Sequence, residues 1–248
     1  MGTAVSLDLR EPWVAGRTVD AFFAWLNSVD SRFSTYREDS QVSRLRRDEI
    51  SVEETDEDFR EVLAMCGEVE RLSRGAFDIW HHSSAGVDPS GLVKGWSVDR
   101  GARLLQDAGA RNFCINAGGD VLACGEAAPG HSWRIGIRHP GIRDRIAAVV
   151  AGCDIAVATS GAYERGDHIV DPVTGRSPSG LLSMTIAGPS LASADAFATA
   201  AFAMGPSGVV WMSQLAGYAG LAITTPLRVI WSDPFDALLA ARMDSDTS

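Results

Sequence analysis

Long apolar runs are missing from this chain of 248 residues. None approaches the roughly 18 consecutive apolar residues of a membrane-crossing helix, so membrane insertion is not expected. The start shows no basic segment followed by an apolar one, so no signal peptide is expected and a cytoplasmic location is. Met1-Gly2-Thr3-Ala4-Val5-Ser6 formally fits an N-myristoylation pattern, but the same residues read as the start of a strand. Cysteine is scarce: Cys66, Cys114, Cys124 and Cys153 are scattered with no C-x-x-C pair, as expected of buried thiols in reducing surroundings. Positive charge is in short supply too. The 22 Lys and Arg against 32 Asp and Glu leave a formal charge of −10, which argues against nucleic acid and anionic membranes as partners. A phosphate ligand stays possible, because one metal ion or a few local dipoles can reverse the field at a site. Three nucleotide and hydrolase signatures are absent. There is no G-x-G-x-x-G and no G-x-x-x-x-G-K-[ST], and Thr159-Ser160-Gly161 is not a G-x-S-x-G elbow.

What is present is an ordinary globular composition, 46% hydrophobic and 22% charged. Thr18 is expected to cap a helix burying Phe22, Trp25, Leu26 and Val29, and Ser40 a short helix after a polar, turn-rich segment. Thr55 with Asp58 resembles a capping box opening a helix with the stripe Phe59, Val62, Leu63, Cys66, Val69 and Leu72, closed by Gly75. A third helix is expected from about Lys94 to Ala108, stopped by Gly109. Trp133 to Arg138 alternates as a strand, and a second strand is expected from Leu182 to Ala187. A helix from about Ser207 to Tyr218 and a strand from Leu221 to Trp231 follow, with a tail expected to fray beyond Asp236. Early helices and later mixed strands predict an α+β fold, with residues 1–248 forming one domain.

Two segments carry chemistry. Ser193-Ala194-Asp195-Ala196-Phe197-Ala198-Thr199 places a carboxylate and a hydroxyl four residues apart in an Ala-rich helical run. That spacing puts both on one helix face, with Cβ atoms about 6 Å apart. Two hard oxygen donors facing one way suit a divalent cation such as Mg²⁺, although a helix position facing solvent reads the same way locally. Val87-Asp88-Pro89-Ser90-Gly91-Leu92-Val93-Lys94-Gly95 is a Gly-containing turn entering a helix, where backbone groups can approach an anion. Lys94, in the first turn of the helix expected there, is either a surface lysine or a point charge for such an anion. A metal beside a phosphate cradle is an arrangement for phosphoryl chemistry.

These segments belong to an ordered set. Met1-Gly2-Thr3 is followed by Phe33-Ser34-Thr35-Tyr36 with Asp39-Ser40-(x)2-Ser43-Arg44-Leu45, and then by Gly75-Ala76-Phe77-Asp78. Asp88-(x)5-Lys94-Gly95-(x)3-Asp99 and Asn116-Ala117-Gly118-Gly119-Asp120 come next. Ala158-Thr159-Ser160-Gly161, His168-Ile169-Val170-Asp171-Pro172-(x)-Thr174-Gly175 and Ala194-Asp195-(x)3-Thr199 close it. The chain resembles, over nearly its whole length, the ApbE-type flavin transferases, the FAD:protein FMN transferases.

The resemblance implies a T-fold-related, two-lobed ApbE-like fold with mixed sheets, helices and a cleft between the lobes. It implies that FAD and Mg²⁺ bind in the cleft, that a Thr or Ser hydroxyl of an acceptor protein attacks the FMN phosphorus, and that AMP leaves. The metal ligands it implies are the carbonyl of Gly91, the carboxylate of Asp195 and the hydroxyl of Thr199. The FAD contacts are Met1, Tyr36, Ala76, Phe77, Asp78, Asp88, Lys94 and Ile169. Tyr36 and Phe77 could flank an aromatic ring system or serve in the core. Asp78 and Asp88, which cannot hold phosphate directly, could bind ribose, adenine or the flavin edge, or stabilise turns. His168 is the candidate base for the attacking hydroxyl, with Asp167 or Asp171 to orient it, or else a hydrogen-bonded structural residue. Asp195 is thereby catalytic as well as a ligand. Two alternatives share the site: a Mg²⁺-dependent FAD pyrophosphatase giving FMN and AMP, and a protein that binds FAD without cleaving it. The usual acceptor signature, Asp-x-x-(Ser/Thr)-Gly-Ala-Thr, does not occur in the chain, so self-flavinylation at such a motif is not predicted.

Overall fold

The computed structural model describes residues 2–14, 16–80, 86–142, 144–161 and 178–242. Strand β1 (Val5–Leu9) precedes α1 (Arg17–Phe33), α2 (Gln41–Arg46), α3 (Glu57–Ser73) and α4 (Ser90–Asp107). Strands β2 (Phe113–Ala117), β3 (Asp120–Cys124), β4 (Trp133–Arg138), β5 (Ile146–Gly152), β6 (Ile155–Gly161) and β7 (Leu181–Gly188) follow. Helices α5 (Leu191–Ala203) and α6 (Pro206–Met212) lead to β8 (Ala219–Thr224), β9 (Val229–Trp231) and β10 (Leu239–Arg242).

The strands form an antiparallel seven-stranded sheet, ordered β1-β2-β3-β6-β7-β8-β9, and a three-stranded sheet, ordered β10-β5-β4. Because successive residues of a strand face opposite sides, the large sheet serves two cores. Leu122, Ala156, Ala158, Met184 and Ile186 pack with the helices. Val121, Val157, Leu221 and Ile223 face Trp133, Ile135, Ile137 and Val150 of the small sheet. The layers therefore run helices, large sheet, small sheet, an α+β architecture. Within the helical layer α5 is buried nearly all round, which suits its run of alanines: small side chains let it lie close to α4, β6 and β7 at once.

Local expectations meet the structure unevenly. The 133–138 strand and the Ser40 cap are as expected, the Ser40 side chain accepting the Ser43 N–H. Thr18 is not a cap, since α1 starts at Arg17 after Gly16 in a positive-φ conformation. The α3 cap is Asp56, accepting the Phe59 N–H at 2.8 Å, and the capping box lies upstream at Ser51 and Glu54. The single strand expected over 221–231 is two, β8 and β9, and the helix from 207 ends at Met212. Instead of fraying from 237, the chain adds β10 to the small sheet, pairing with β5 as far as Arg242. Among the described residues, no helix is long and apolar enough to cross a membrane.

Candidate functional site

The expected metal and phosphate residues meet where α4 crosses α5. Helix α4 starts four residues earlier than expected, because Pro89 suits a helix start and Asp88 Oδ1 accepts the Ser90 N–H at 3.0 Å. Lys94 therefore sits in the second turn rather than the first. Gly91 lies against the other helix: a Cβ there would stand 3.1 Å from a Phe77 ring carbon and 3.6 Å from Thr199 Oγ1. One turn on, contact is closer still. A Cβ at Gly95 would stand 2.3 Å from the Leu191 carbonyl oxygen, so only glycine admits this crossing.

Asp99, a further turn along α4, locks the crossing. Its carboxylate accepts the Ser190 hydroxyl at 2.8 Å and the Leu191 and Ala192 N–H groups at 3.0 and 2.9 Å. These are the groups a helix leaves unpaired at its N-terminus, so a residue of α4 caps α5. Burial raises the Asp99 carboxyl above its ordinary range, and the same three hydrogen bonds oppose that rise.

Charge concentrates just above the crossing. Asp195 is buried, not the surface carboxylate that its helix position suggests. Its Oδ2 accepts the Gly95 N–H at 3.3 Å and its Oδ1 lies 3.5 Å from the Lys94 ammonium. Burial lifts the Asp195 carboxyl well above the usual carboxylate range, and the Lys94 charge pulls it back. The ammonium also contacts a second buried carboxylate, Asp120 at the head of β3, whose Oδ1 accepts the Thr159 N–H at 3.0 Å. Thr199 Oγ1 lies 3.3 Å from Ser160 Oγ at the end of β6.

The donor set at the crossing fits a small divalent cation. A carboxylate, a hydroxyl and a backbone carbonyl are all hard oxygen donors, and Mg²⁺ is commonly held by one or two carboxylates with the remaining positions left for phosphate and water. Among the described residues, no group of three or more His, Cys, Asp or Glu side chains is arranged to hold a metal ion.

The other expected residues divide. Phe77 is buried, its ring on Gly91 and its N–H donated to Ser73 Oγ at 3.0 Å, with Ala76 half-buried beside it. Asp78 Oδ1 accepts the Trp80 N–H at 2.7 Å, while Asp88 also lies 3.5 Å from an Arg46 guanidinium nitrogen. Both carboxylates therefore do the turn-stabilising work open to them. The Ile79 carbonyl accepts the Asp88 N–H at 2.7 Å, which brings the 77–79 and 87–91 segments side by side. Tyr36 is 93% exposed and packs in no core. Met1, His168 and Ile169 lie outside the described residues. Asp99 and Ser160 lie in the ordered motifs but outside the expected site, and Asp120 ends the Asn116–Asp120 turn, which reads from sequence equally as a site wall or as a strand-ending turn. Their signal was there, in polar residues closing Gly-rich or strand-like motifs, yet nothing local said where they point.

Fold and crossing together define an α+β protein that gathers hard oxygen donors and one ammonium beside a buried aromatic ring. A family model described as the ApbE family matches residues 1–84 and 80–221, and the chain belongs to that family. It is similar to the FAD:protein FMN transferase of Vibrio cholerae, 36% identical over 129 residues, which are 48% of this chain and 39% of that protein. With the protein of that name from Haemophilus influenzae it shares 25% identity over 252 residues, 76% of this chain and 73% of that protein. The match to the Escherichia coli protein of that name, 32% identical, spans 42% of its length, so the matched part of the chain is under half of several such relatives. Among solved structures, the flavin transferase ApbE from Vibrio cholerae superposes with a TM-score of 0.85 at 24% identity over 96% of both chains. The ApbE protein of Thermotoga maritima does so at 0.86, with 23% identity over 97% of both. These likenesses establish the fold.

Proposed function

We propose that this protein is an FAD:protein FMN transferase, acting over residues 1–248 as one catalytic unit on a Thr or Ser hydroxyl of an acceptor protein. The observation that carries this reading is the α4–α5 crossing, which gathers Gly91, Thr199, Asp195 and Lys94 in a chain of the ApbE family. FAD is the substrate. The bond formed joins the acceptor oxygen to the FMN phosphorus, the bond broken is the one from that phosphorus to the bridging oxygen, and AMP leaves with the bridging oxygen.

Asp195, Thr199 and the Gly91 carbonyl would hold Mg²⁺, which supplies charge neutralisation on the pyrophosphate as negative charge builds up. Lys94 adds a fixed positive charge beside it. Phe77, buried against Gly91, would back the FAD site from the core side, and Ala76, Asp78, Asp88 and Tyr36 would line it with Met1 and Ile169. His168 would take the proton of the acceptor hydroxyl. A positioned base of this kind is worth about 10²–10⁴ in rate. The acceptor signature expected is Asp-x-x-(Ser/Thr)-Gly-Ala-Thr on another chain, and the place of action proposed is the cytoplasm.

The test incubates the full chain with FAD and a peptide carrying that signature, with and without Mg²⁺, and follows AMP and the mass of the peptide. Mg²⁺-dependent AMP together with an FMN-modified peptide is the expected result. AMP with free FMN and unmodified peptide would replace this reading with a pyrophosphatase, and bound FAD that no condition cleaves would replace it with an FAD-binding protein. Asp195→Ala is expected to abolish Mg²⁺-dependent turnover and still fold, because Asp120 remains to pair with Lys94.

A further inference from the structure

The Lys94 ammonium lies between two buried carboxylates and does not share itself equally. It contacts Asp120 Oδ2 directly and stands 3.5 Å from Asp195 Oδ1. Asp120 is 2% exposed and is held in place from its other oxygen, Oδ1, by the Thr159 N–H at 3.0 Å. That hydrogen bond ties it to the β3–β6 pairing, so its direction is set by the sheet and not by the helices. Asp195 is set by α5, through the crossing at Gly95. The lysine thus belongs to α4, its nearest anion to the sheet, and the proposed cation ligand to α5.

We propose that Asp120 is a positioning residue that holds the Lys94 ammonium off Asp195, so that Asp195 stays available to a divalent cation. This rests on the reading of Asp195 as a cation ligand. Where little water remains, an ammonium is drawn strongly to the nearest carboxylate. With Asp120 uncharged, that carboxylate is Asp195, and Lys94 moves onto it and competes with the metal. Asp120 in place gives the lysine a better partner, and the ammonium then sits beside the cation site as a fixed positive charge for phosphate and not as its occupant. Groups that orient the neighbours of a metal in this way change its affinity by roughly 10- to 100-fold when removed.

The test titrates Mn²⁺ into the full chain without FAD, by calorimetry or by electron paramagnetic resonance of free Mn²⁺. Asp120→Asn keeps a side-chain oxygen for the Thr159 N–H but loses the charge, and is expected to weaken Mn²⁺ roughly 10- to 100-fold. Adding Lys94→Met to Asp120→Asn removes the competitor and is expected to restore the affinity. A merely structural role for Asp120 would not be rescued by deleting the lysine, so a double variant as weak as the single one overturns the inference. Unchanged Mn²⁺ binding in Asp120→Asn overturns it as well. Should Asp120→Asn fail to fold, Lys94→Met alone is expected to bind Mn²⁺ at least as tightly as the parent, and weaker binding overturns the inference. A parent protein that binds no Mn²⁺ removes the cation site and this inference together. Failure of FMN transfer with Mn²⁺ binding intact leaves the inference standing.

Discussion

Gly95→Ala sets two effects of opposite sign against each other. Alanine in a helix interior is favoured over glycine by about 1 kcal/mol. At Gly95, however, the added carbon would stand 2.3 Å from the Leu191 carbonyl oxygen, 2.6 Å from its carbon and 2.7 Å from the Ala192 nitrogen. Non-bonded carbon contacts settle near about 3.5 Å, so the helices must separate by roughly 1 Å. All three atoms are backbone, so no side chain can yield by rotating. Overpacking of this kind costs about 1–3 kcal/mol. Separation also stretches the bonds from Ser190, Leu191 and Ala192 to Asp99, now 2.8–3.0 Å long, and losing one such bond to a carboxylate costs about 1.5–3 kcal/mol more. The balance is a loss of roughly 2–5 kcal/mol. In urea this appears as a midpoint lowered by about 1 M at unchanged slope. Gly67→Ala is the matched control: it lies within α3, a Cβ there meets nothing within 4 Å, and a gain of about 0.5–1 kcal/mol is expected. A Gly95→Ala protein as stable as its parent, or stabilised like Gly67→Ala, would refute the close crossing of α4 and α5.

Asp99→Ala removes the cap of α5 and is expected to cost about 2–4 kcal/mol in urea unfolding, since three donors lose a carboxylate partner. The pH dependence of that loss has a definite sign. Burial raises the folded Asp99 carboxyl above its unfolded value, so its titration contributes most below the unfolded value and the contribution is lost as pH rises through the folded one. The stability gap between parent and Asp99→Ala should therefore widen as pH falls from 7 towards 4, and a gap that narrows would contradict the burial. Thiol alkylation offers a separate check. Burial pushes Cys114 up to about 11 and Cys124 to about 12, and raises Cys66 further, so mass spectrometry after iodoacetamide at pH 8 should find all three unmodified in the folded protein. Rapid labelling of any of them would contradict its placement.

Short-range physics made much of this protein legible from its sequence. Alternation located the strand Trp133–Arg138, a three-and-four spacing located the apolar stripe of α3 except at Leu72, which stands exposed, and the four-residue interval placed Asp195 and Thr199 on one face of α5. The order of eight motifs pointed to the ApbE family, as the match over residues 1–84 and 80–221 bears out. These signals survive because hydrogen-bonding period and capping involve neighbours a few residues apart. Other features depended on partners far along the chain. Asp195 reads as a helix position facing a cleft until α4 and β3 enclose it, and Asp120 reads as the end of a turn until Lys94 arrives. Asp99 could not be assigned to the start of α5 from a helix that ends 84 residues before Leu191, because nothing local states which carboxylate will cap which helix. Tyr36, part of the Phe33–Tyr36 motif, stands in solvent. The sequence by itself determined most of the helices, the clearest strand, the family and the kinds of donor available. Only the tertiary structure decided which buried carboxylate holds the lysine, because that choice depends on distances set by the packing of α4, α5 and the large sheet.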